Sequence, residues 1–404
     1  MGTVVKTWVE VSEERLAGNF RALAEATGAE TEVMAVVKAN AYGHGLEACS
    51  VVLARAGARW LGVACVDEGM RARRSLEAAG FGGQSGRAPS QSAPQILVMS
   101  GFLPEDVAAF AEYRLTPVVW TSEQVEWLRG HEGMRVHVEV DTGMGRQGVP
   151  PGAELNTLLA RIEEAGLVLD GIFTHFCSSE VAHSELTRTQ QRRFEAAVGQ
   201  VRERGMKPAW VHAGASSTVD NPAQESPWLV ELAGSVGARA MVRTGVGLYG
   251  YCLPIEQSDA GEPRVASKVR AALRPVMQWK TRVLAVRDLA PCETVGYGAT
   301  FTARERMRVA LLPVGYSDGL RRELSSTSER PGGWVMMHGA DGTQRRAPIL
   351  GRISMNLTVV DMTGIEGVAI GDEVVLLGDG VTAHDHARLT GTIAYEILCG
   401  VRGR

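Results

Sequence analysis

The chain of 404 residues contains no apolar stretch near the ~18 residues a bilayer-spanning helix requires, which argues against a helical membrane protein. Its opening, MGTVVKTWVEVSEERL, lacks the apolar core of a secretory signal, and Lys6 breaks the myristoylation pattern. A cytoplasmic location is the expectation. An excess of charge of either sign is also missing. The 42 Lys plus Arg against 46 Asp plus Glu leave −4, no basic field for nucleic acid or an anionic membrane. Close cysteine pairs are absent as well. Cys49, Cys65, Cys177, Cys252, Cys292 and Cys399 lie far apart, which argues against a zinc ribbon or a thioredoxin-like centre. Scattered buried thiols in a reducing compartment are expected instead. Disorder is disfavoured by 45% hydrophobic against 22% charged residues. Glycine is over-represented, 47 of 404, where ~7% is usual. Such a surplus implies many tight turns or close backbone approaches to a ligand.

At roughly 100–200 residues per domain, the length predicts two or three domains. Eight apolar runs occur in the first 250 residues: Val33–Lys38, Trp60–Ala64, Ile96–Met99, Pro117–Trp120, Val136–Val140, Val168–Thr174, Ala209–His212 and Ala240–Arg243. Helical patterns separate most of them. Thr121 and Gln124 form a capping box before Val125–Leu128, and Gly166 and Gly205 stop Leu155–Ala165 and Glu185–Arg204. This rhythm predicts an α/β fold, a (β/α)8 TIM-type barrel over residues 12–250, although a doubly wound sheet also alternates. Beyond Gly250, the segments Val276–Val286, Val309–Val314, Ala347–Asp361 and Glu373–Leu377 read as strands joined by Gly/Asp turns. Residues 251–404, together with a strand in residues 1–11, are expected to form a mainly β domain. Gly82–Gln95 reads as a surface loop.

In a barrel, chemistry gathers at the C-terminal ends of the strands. Those ends carry Lys38, Glu139 with Asp141 and Arg146 beyond it, His175, Ser216 and Arg243. Alternation along Val136–Asp141 puts three valines on one face and His137, Glu139 and Asp141 on the other. Lys38 follows an apolar strand, and burial depresses a lysine's pKa, so its amine can form a Schiff base with an aldehyde. A lysine snorkelling from a strand end is the plainer reading of the same position. Gly245-Val246-Gly247-Leu248-Tyr249-Gly250 is literally GxGxxG, but Pro254 follows where a dinucleotide fold needs a helix. A backbone phosphate cradle after the eighth strand fits better. The Ala383-His384-Asp385-His386 cluster opens a helical pattern and reads as a solvated helix start, so no metal site is expected. A Schiff-base lysine, a phosphate cradle and an arginine beside it together describe a pyridoxal phosphate enzyme.

AVVKANAYGHG (Ala35–Gly45) resembles the cofactor-lysine signature of alanine racemases. DTGMGRQG, THF, VRTGVGLYG, GYGATF, VGYSDG, GRISMN and AYEILC resemble further motifs of that family, in its order, from about Trp8 to Cys399. The resemblance implies a soluble homodimer with shared active sites that interconverts L- and D-alanine through a pyridoxal phosphate aldimine, supplying D-alanine for peptidoglycan. It implies two catalytic bases, Lys38 and Tyr297, the tyrosine reaching over from the partner's second domain. Tyr42, Ser216, Gly245, Val246 and Tyr395 are implied to hold the phosphate, with Arg243 at the pyridine nitrogen and His175 linking Arg243 to Tyr297. Arg146 and the backbone at Met355 are implied to bind the substrate carboxylate, and Tyr316, Arg322 and Arg352 to line the approach.

Three positions depart from the family pattern. Glu139 stands where a carbamylated lysine is common, and its carboxylate is expected to orient Arg146 directly. Ala215 replaces a frequent Asn, and Asn356 a frequent Asp. These changes leave serine or a broader amino-acid range open as substrate. A non-catalytic pyridoxal phosphate carrier and a dinucleotide oxidoreductase are the rivals from other classes. The second domain counts against the first, and the Pro254 context against the second.

Overall fold

The computed structural model describes residues 6–82, 92–224, 227–257 and 264–403, so most of the loop expected over Gly82–Gln95 lies outside the described residues. The chain forms two compact units. One comprises Glu13–Ala41 and Gly45–Arg274; the other comprises Met1–Ser12, Tyr42–His44 and Pro275–Arg404.

Short runs rich in Val, Leu and Ile become strands in the first unit because both of their faces are covered. The strands are β2 (Thr31–Val36), β3 (Trp60–Val63), β4 (Gln95–Val98), β5 (Leu115–Val119), β6 (Arg135–Glu139), β7 (Val168–Phe173), β8 (Trp210–His212) and β9 (Arg239–Thr244), numbered after β1 (Thr7–Val11) of the other unit. They form a closed parallel barrel in sequence order, and β9 returns to β2 through Val33↔Val242 and Met34↔Arg243. Every residue of β2, β3 and β5 is buried, as parallel strands sandwiched between helices and a barrel interior must be. Met34, Trp60, Leu97, Val118, Phe173 and Met241 form a buried cluster of the barrel unit. The crossover helices stop where expected, with Gly166 and Gly205 at φ 66° and 70°. Thr121 caps Ser122–Trp127, its Oγ1 accepting from Gln124 N while Gln124 Oε1 accepts from Thr121 N, both at 3.2 Å. Residues 264–274 belong with this unit. Buried Asp220 accepts there from Ser267 Oγ, Val269 N, and both the N and Nη2 of Arg270.

In the second unit β1 joins β10 (Met277–Arg282), β11 (Ala285–Leu289), β14 (Met307–Leu312), β15 (Trp334–His338), β16 (Gln344–Leu350), β17 (Thr358–Asp361) and β18 (Glu373–Leu377). Their order is β1-β10-β18-β15-β16-β17-β14-β11, and the described pairs are antiparallel. β12 (Thr294–Val295) and β13 (Phe301–Thr302) make a separate small ribbon. The run Val276–Val286, expected as one strand, breaks after Arg282 into β10 and β11, which lie far apart in the sheet order. Ala347–Asp361 likewise splits around Gly351, whose φ is 66°. Two further expectations need correction. Only Cys49 and Cys252 are buried, Cys177 is half-buried, and Cys65, Cys292 and Cys399 are exposed. Helix Ala383–Thr390 forms where expected, but His386 turns inward and burial pushes it down to about 4, so this helix start is not simply solvated.

Candidate active site

Past the end of β2 the backbone reverses its handedness. Lys38 is followed by Ala39, Asn40, Ala41 and Tyr42, with φ between 53° and 55°. Left-handed backbone costs an L-residue roughly 1–2 kcal/mol, and no glycine relieves it here. Such strain persists where the surroundings over-determine it, typically at a functional site. Ala41 N donates to Val37 O at 2.8 Å, which closes the turn and sets where Lys38 leaves the barrel rim. Lys38 itself is half-buried.

On the neighbouring strand β9, Arg243 lies buried with its guanidinium fixed on three sides. Nη2 donates to Thr174 O at 2.7 Å and to His175 Nδ1 at 3.3 Å, and Nη1 donates to His212 Nδ1 at 3.1 Å. Its Cζ sits 4.8 Å from the centre of the Phe173 ring. Because a guanidinium only donates, each histidine must present an unprotonated Nδ1 to it. His212 therefore carries its proton on Nε2 and donates to His137 Nδ1 at 2.9 Å. His137 in turn aims Nε2–H at Asp170 Oδ2, 3.5 Å away, and Arg135 Nη1 holds the other oxygen of Asp170 at 2.8 Å. The hydrogen bonds thus run in one direction from Arg243 through His212 to His137, which faces an anchored carboxylate at longer range.

Burial sets the charges along this chain. It pushes His212 well below the ordinary imidazole range, lowers His137, and takes His175 to about 3, with Arg243 and Arg146 adding repulsion at His175. All three imidazoles are neutral near pH 7. Burial lowers Arg243 too, to about 10, which leaves it cationic. Asp170 stays low despite its own burial, because His137 and Arg135 favour the carboxylate.

Glu139, at the end of β6, is buried and burial raises its pKa. The nearby charges of Arg243 and Arg146 act against that rise. Its Oε2 accepts from Gln147 Nε2, which also donates to Met99 O at 2.9 Å. The hydrogen-bond partner of Glu139 is therefore Gln147, while Arg146 is exposed and acts on it through charge. Asp141 shapes the turn that presents Arg146, its Oδ1 accepting from Gly143 N and Met144 N at 2.9 Å.

Ser216 Oγ accepts from Gly245 N and Gly247 N, each at 3.0 Å, so its own proton is left to donate. A Cβ on Gly247 would stand 3.1 Å from that oxygen, which keeps the turn close to it. Val246 opens a 3-10 turn, Val246–Tyr249, which Gly250 ends at φ 96°. Among the described residues no long helix follows this turn, where a dinucleotide fold would need one.

The second unit carries the other expected residues. Tyr42 and Tyr395 pack with ring centres 6.0 Å apart, and burial raises the Tyr42 phenol, which stays a proton donor. A Cβ on Gly43 would meet Leu398 O at 2.6 Å, so this backbone lies tight against helix Ala394–Gly400. Tyr297 sits on the turn between β12 and β13, between Gly296 and Gly298 at φ 78° and 72°, and is 68% exposed. That turn lies against Arg352, whose N would be 2.9 Å from a Cβ on Gly296. Met355, Tyr316, Arg352 and Arg322 are all at least partly exposed. Met355 O accepts from Ser317 N and Oγ at 3.0 and 2.8 Å, so only the N–H of that residue can serve an anion. Asn356 Nδ2 donates to Ser317 Oγ at 2.8 Å, tying the two loops.

His212, Asp170 and Gln147 were not marked as site residues by the sequence. For His212 the signal was its place at a strand end; the other two carried none.

A family profile described as the alanine racemase N-terminal domain matches residues 11–253, and one described as the C-terminal domain matches residues 276–404. An alanine racemase of Symbiobacterium thermophilum is 35% identical over 411 residues, covering 98% of this chain and 95% of that protein. One from Geobacter sp. strain M21 is 32% identical, with 98% and 97% covered. Among solved structures, alanine racemase from Streptomyces coelicolor superposes with a TM-score of 0.79 at 29% identity, over 99% of this chain and 96% of that one. The Bacillus anthracis enzyme with bound L-Ala-P gives 0.79 at 26% identity, with 99% and 94% covered. The chain belongs to the alanine racemase family of pyridoxal phosphate-dependent enzymes.

Proposed function

We propose that this chain is a pyridoxal phosphate-dependent alanine racemase of the cytoplasm, a homodimer whose product supplies D-alanine for peptidoglycan. The observation that carries the reading is Arg243: a buried guanidinium, locked by Thr174, His175 and His212, that cannot swing away from whatever it faces. Among the described residues no helix is long and apolar enough to cross a membrane, consistent with the proposed location.

The donor set suits the cofactor. Lys38 offers an amine, Ser216 a hydroxyl beside backbone N–H groups, and Tyr42 a protonated phenol, which suits a phosphate. Pyridoxal phosphate, when bound, acidifies the Cα–H of an amino acid by drawing the developing negative charge into its ring. Arg243, a donor only, keeps a pyridine nitrogen unprotonated, which limits that delocalisation and with it transamination. Arg146 and the Met355 N–H bind the substrate carboxylate. Glu139, buried and fixed by Gln147, supplies the anion near Arg146 without carbamylation. Lys38 removes or returns the α-proton on one face, and Tyr297 of a second subunit does so on the other. His175 presents Nε2–H, since its Nδ1 accepts from Arg243, and that hydrogen suits a phenolate acceptor.

Exchange of the α-proton in deuterated water, followed from each enantiomer of alanine, tests the assignment. Lys38→Ala and Tyr297→Phe should each abolish exchange from one face and racemisation from both. Intact exchange from both enantiomers in either variant would overturn the two-base roles. Comparing kcat/KM for alanine and serine decides the substrate range that Ala215 and Asn356 leave open.

A further inference from the structure

We propose that Glu68 is a positioning residue for Lys38: its carboxylate holds the strained left-handed turn that aims the lysine. The inference rests on the reading of Lys38 as the cofactor lysine. Glu68 lies in helix Val66–Ala78 and is 8% exposed. Its Oε1 accepts from Asn40 N at 3.0 Å and its Oε2 from Ala64 N at 2.9 Å. Each oxygen thus serves a backbone N–H group, and one buried carboxylate ties the turn after β3 to the turn after β2.

Asn40 is the centre of that hold. Besides its N–H to Glu68, its Oδ1 accepts from Leu46 N and its carbonyl from Gly45 N, both at 3.0 Å. Asparagine tolerates left-handed backbone better than most residues, but Ala39, Ala41 and Tyr42 do not share that tolerance. Their conformation therefore depends on outside anchors, and the Glu68 carboxylate is one of them. A hydrogen bond to an ionised acceptor is roughly twice as strong as a neutral one. Glutamine could accept only one of the two N–H groups, and its own NH2 would face the other donor. The turn would then relax toward right-handed backbone and carry the lysine off line.

The expected result for Glu68→Gln in the full-length protein is a loss of pyridoxal phosphate affinity of about 10- to 100-fold, the order that a small misplacement produces. Schiff-base absorbance and its pH titration should shift. kcat should fall while KM for alanine changes little. Ala39→Gly added to Glu68→Gln should restore much of the cofactor affinity, because glycine adopts positive φ without cost. Arg73→Lys is the control on the same helix. Arg73 holds Tyr113 O, Pro94 O and Arg114 O, so its loss should lower the thermal midpoint and leave cofactor affinity alone. If Glu68→Gln behaves like that control, with wild-type affinity and titration and no rescue by glycine, the inference is overturned. Should Glu68→Gln not fold, Asn40→Ala, which removes the bond to Leu46 N and the asparagine's tolerance of left-handed backbone, should give a loss of affinity in the same direction. Unchanged affinity there also overturns it. Borohydride reduction with peptide mapping of the wild type separates the two layers. A wild type carrying no cofactor on Lys38 refutes the underlying reading itself.

Discussion

The barrel interior and the exposed turns of the β unit handle polar groups in opposite ways. Inside the barrel, Arg243, His212, His137 and Asp170 are buried, and each is oriented by the next. On the β unit, Tyr297, Met355 and Tyr316 are 68%, 54% and 44% exposed, on turns whose backbones pack closely while their side chains stand free of the core. A buried group without partners is costly, so the barrel must satisfy its polar chain internally. An exposed group carries no such cost but has no fixed environment either. In the two-base mechanism proposed above, the barrel set needs a second base, and the exposed Tyr297 of the β unit is the group proposed for it.

The largest expected effects test this division directly. Arg243→Met should lower kcat/KM by about 10²- to 10³-fold and also lower the thermal midpoint, since His212, His175 and Thr174 O all lose their donor. Tyr297→Phe should cost activity on the order of 10²- to 10⁴-fold with the thermal midpoint unchanged, because nothing buried depends on that hydroxyl. A melting curve beside each rate measurement separates the two behaviours. Equal destabilisation by both would erase the comparison. Mixing Lys38→Ala with Tyr297→Phe subunits should recover roughly a quarter of wild-type activity, since half of the dimers are mixed and each has one intact site. No recovery would place both bases in one chain.

Smaller effects sharpen the picture inside each unit. Asp170→Asn should cost about 1–3 kcal/mol in denaturant unfolding, because it weakens the anchored end of the histidine chain. Protonation should show the same burden. His175 and His386 have folded values of about 3 and 4, below the ordinary imidazole value near 6.5. The unfolded chain then binds protons that the folded chain refuses, so stability falls as pH drops from about 6.5 toward 4. Each histidine should contribute up to about 2 kcal/mol of loss by pH 5. His386→Gln should flatten that slope in part while leaving activity at pH 8 intact, and an unchanged slope would mean His386 is not neutral in the fold.

The barrel was legible because parallel strands covered on both faces are rich in apolar residues, and eight such runs recur with helical patterns between most of them. The break between β10 and β11 stayed hidden because Val276–Val286 contains neither glycine nor proline to mark it. β15, Trp-Val-Met-Met-His, lacks the alternation that would have marked it. Lys38 and Arg243 could be found at strand ends, but the His212–His137–Asp170 chain needs strands brought together that are distant in sequence. Glycine counts pointed to turns, yet the most strained turn, Ala39–Tyr42, contains none. Nothing in Ala-Asn-Ala-Tyr announces left-handed backbone.

That turn has one more consequence, for chirality. Backbone with φ near +54° is the mirror image of an ordinary helix, and it is the conformation a D-residue prefers. A semisynthetic chain with D-alanine at positions 39 and 41 should therefore fold more stably than the natural one, by about 1–2 kcal/mol at each position where the side chain finds room. At the rim of its barrel, this protein bends an L-chain into the shape natural to the opposite hand.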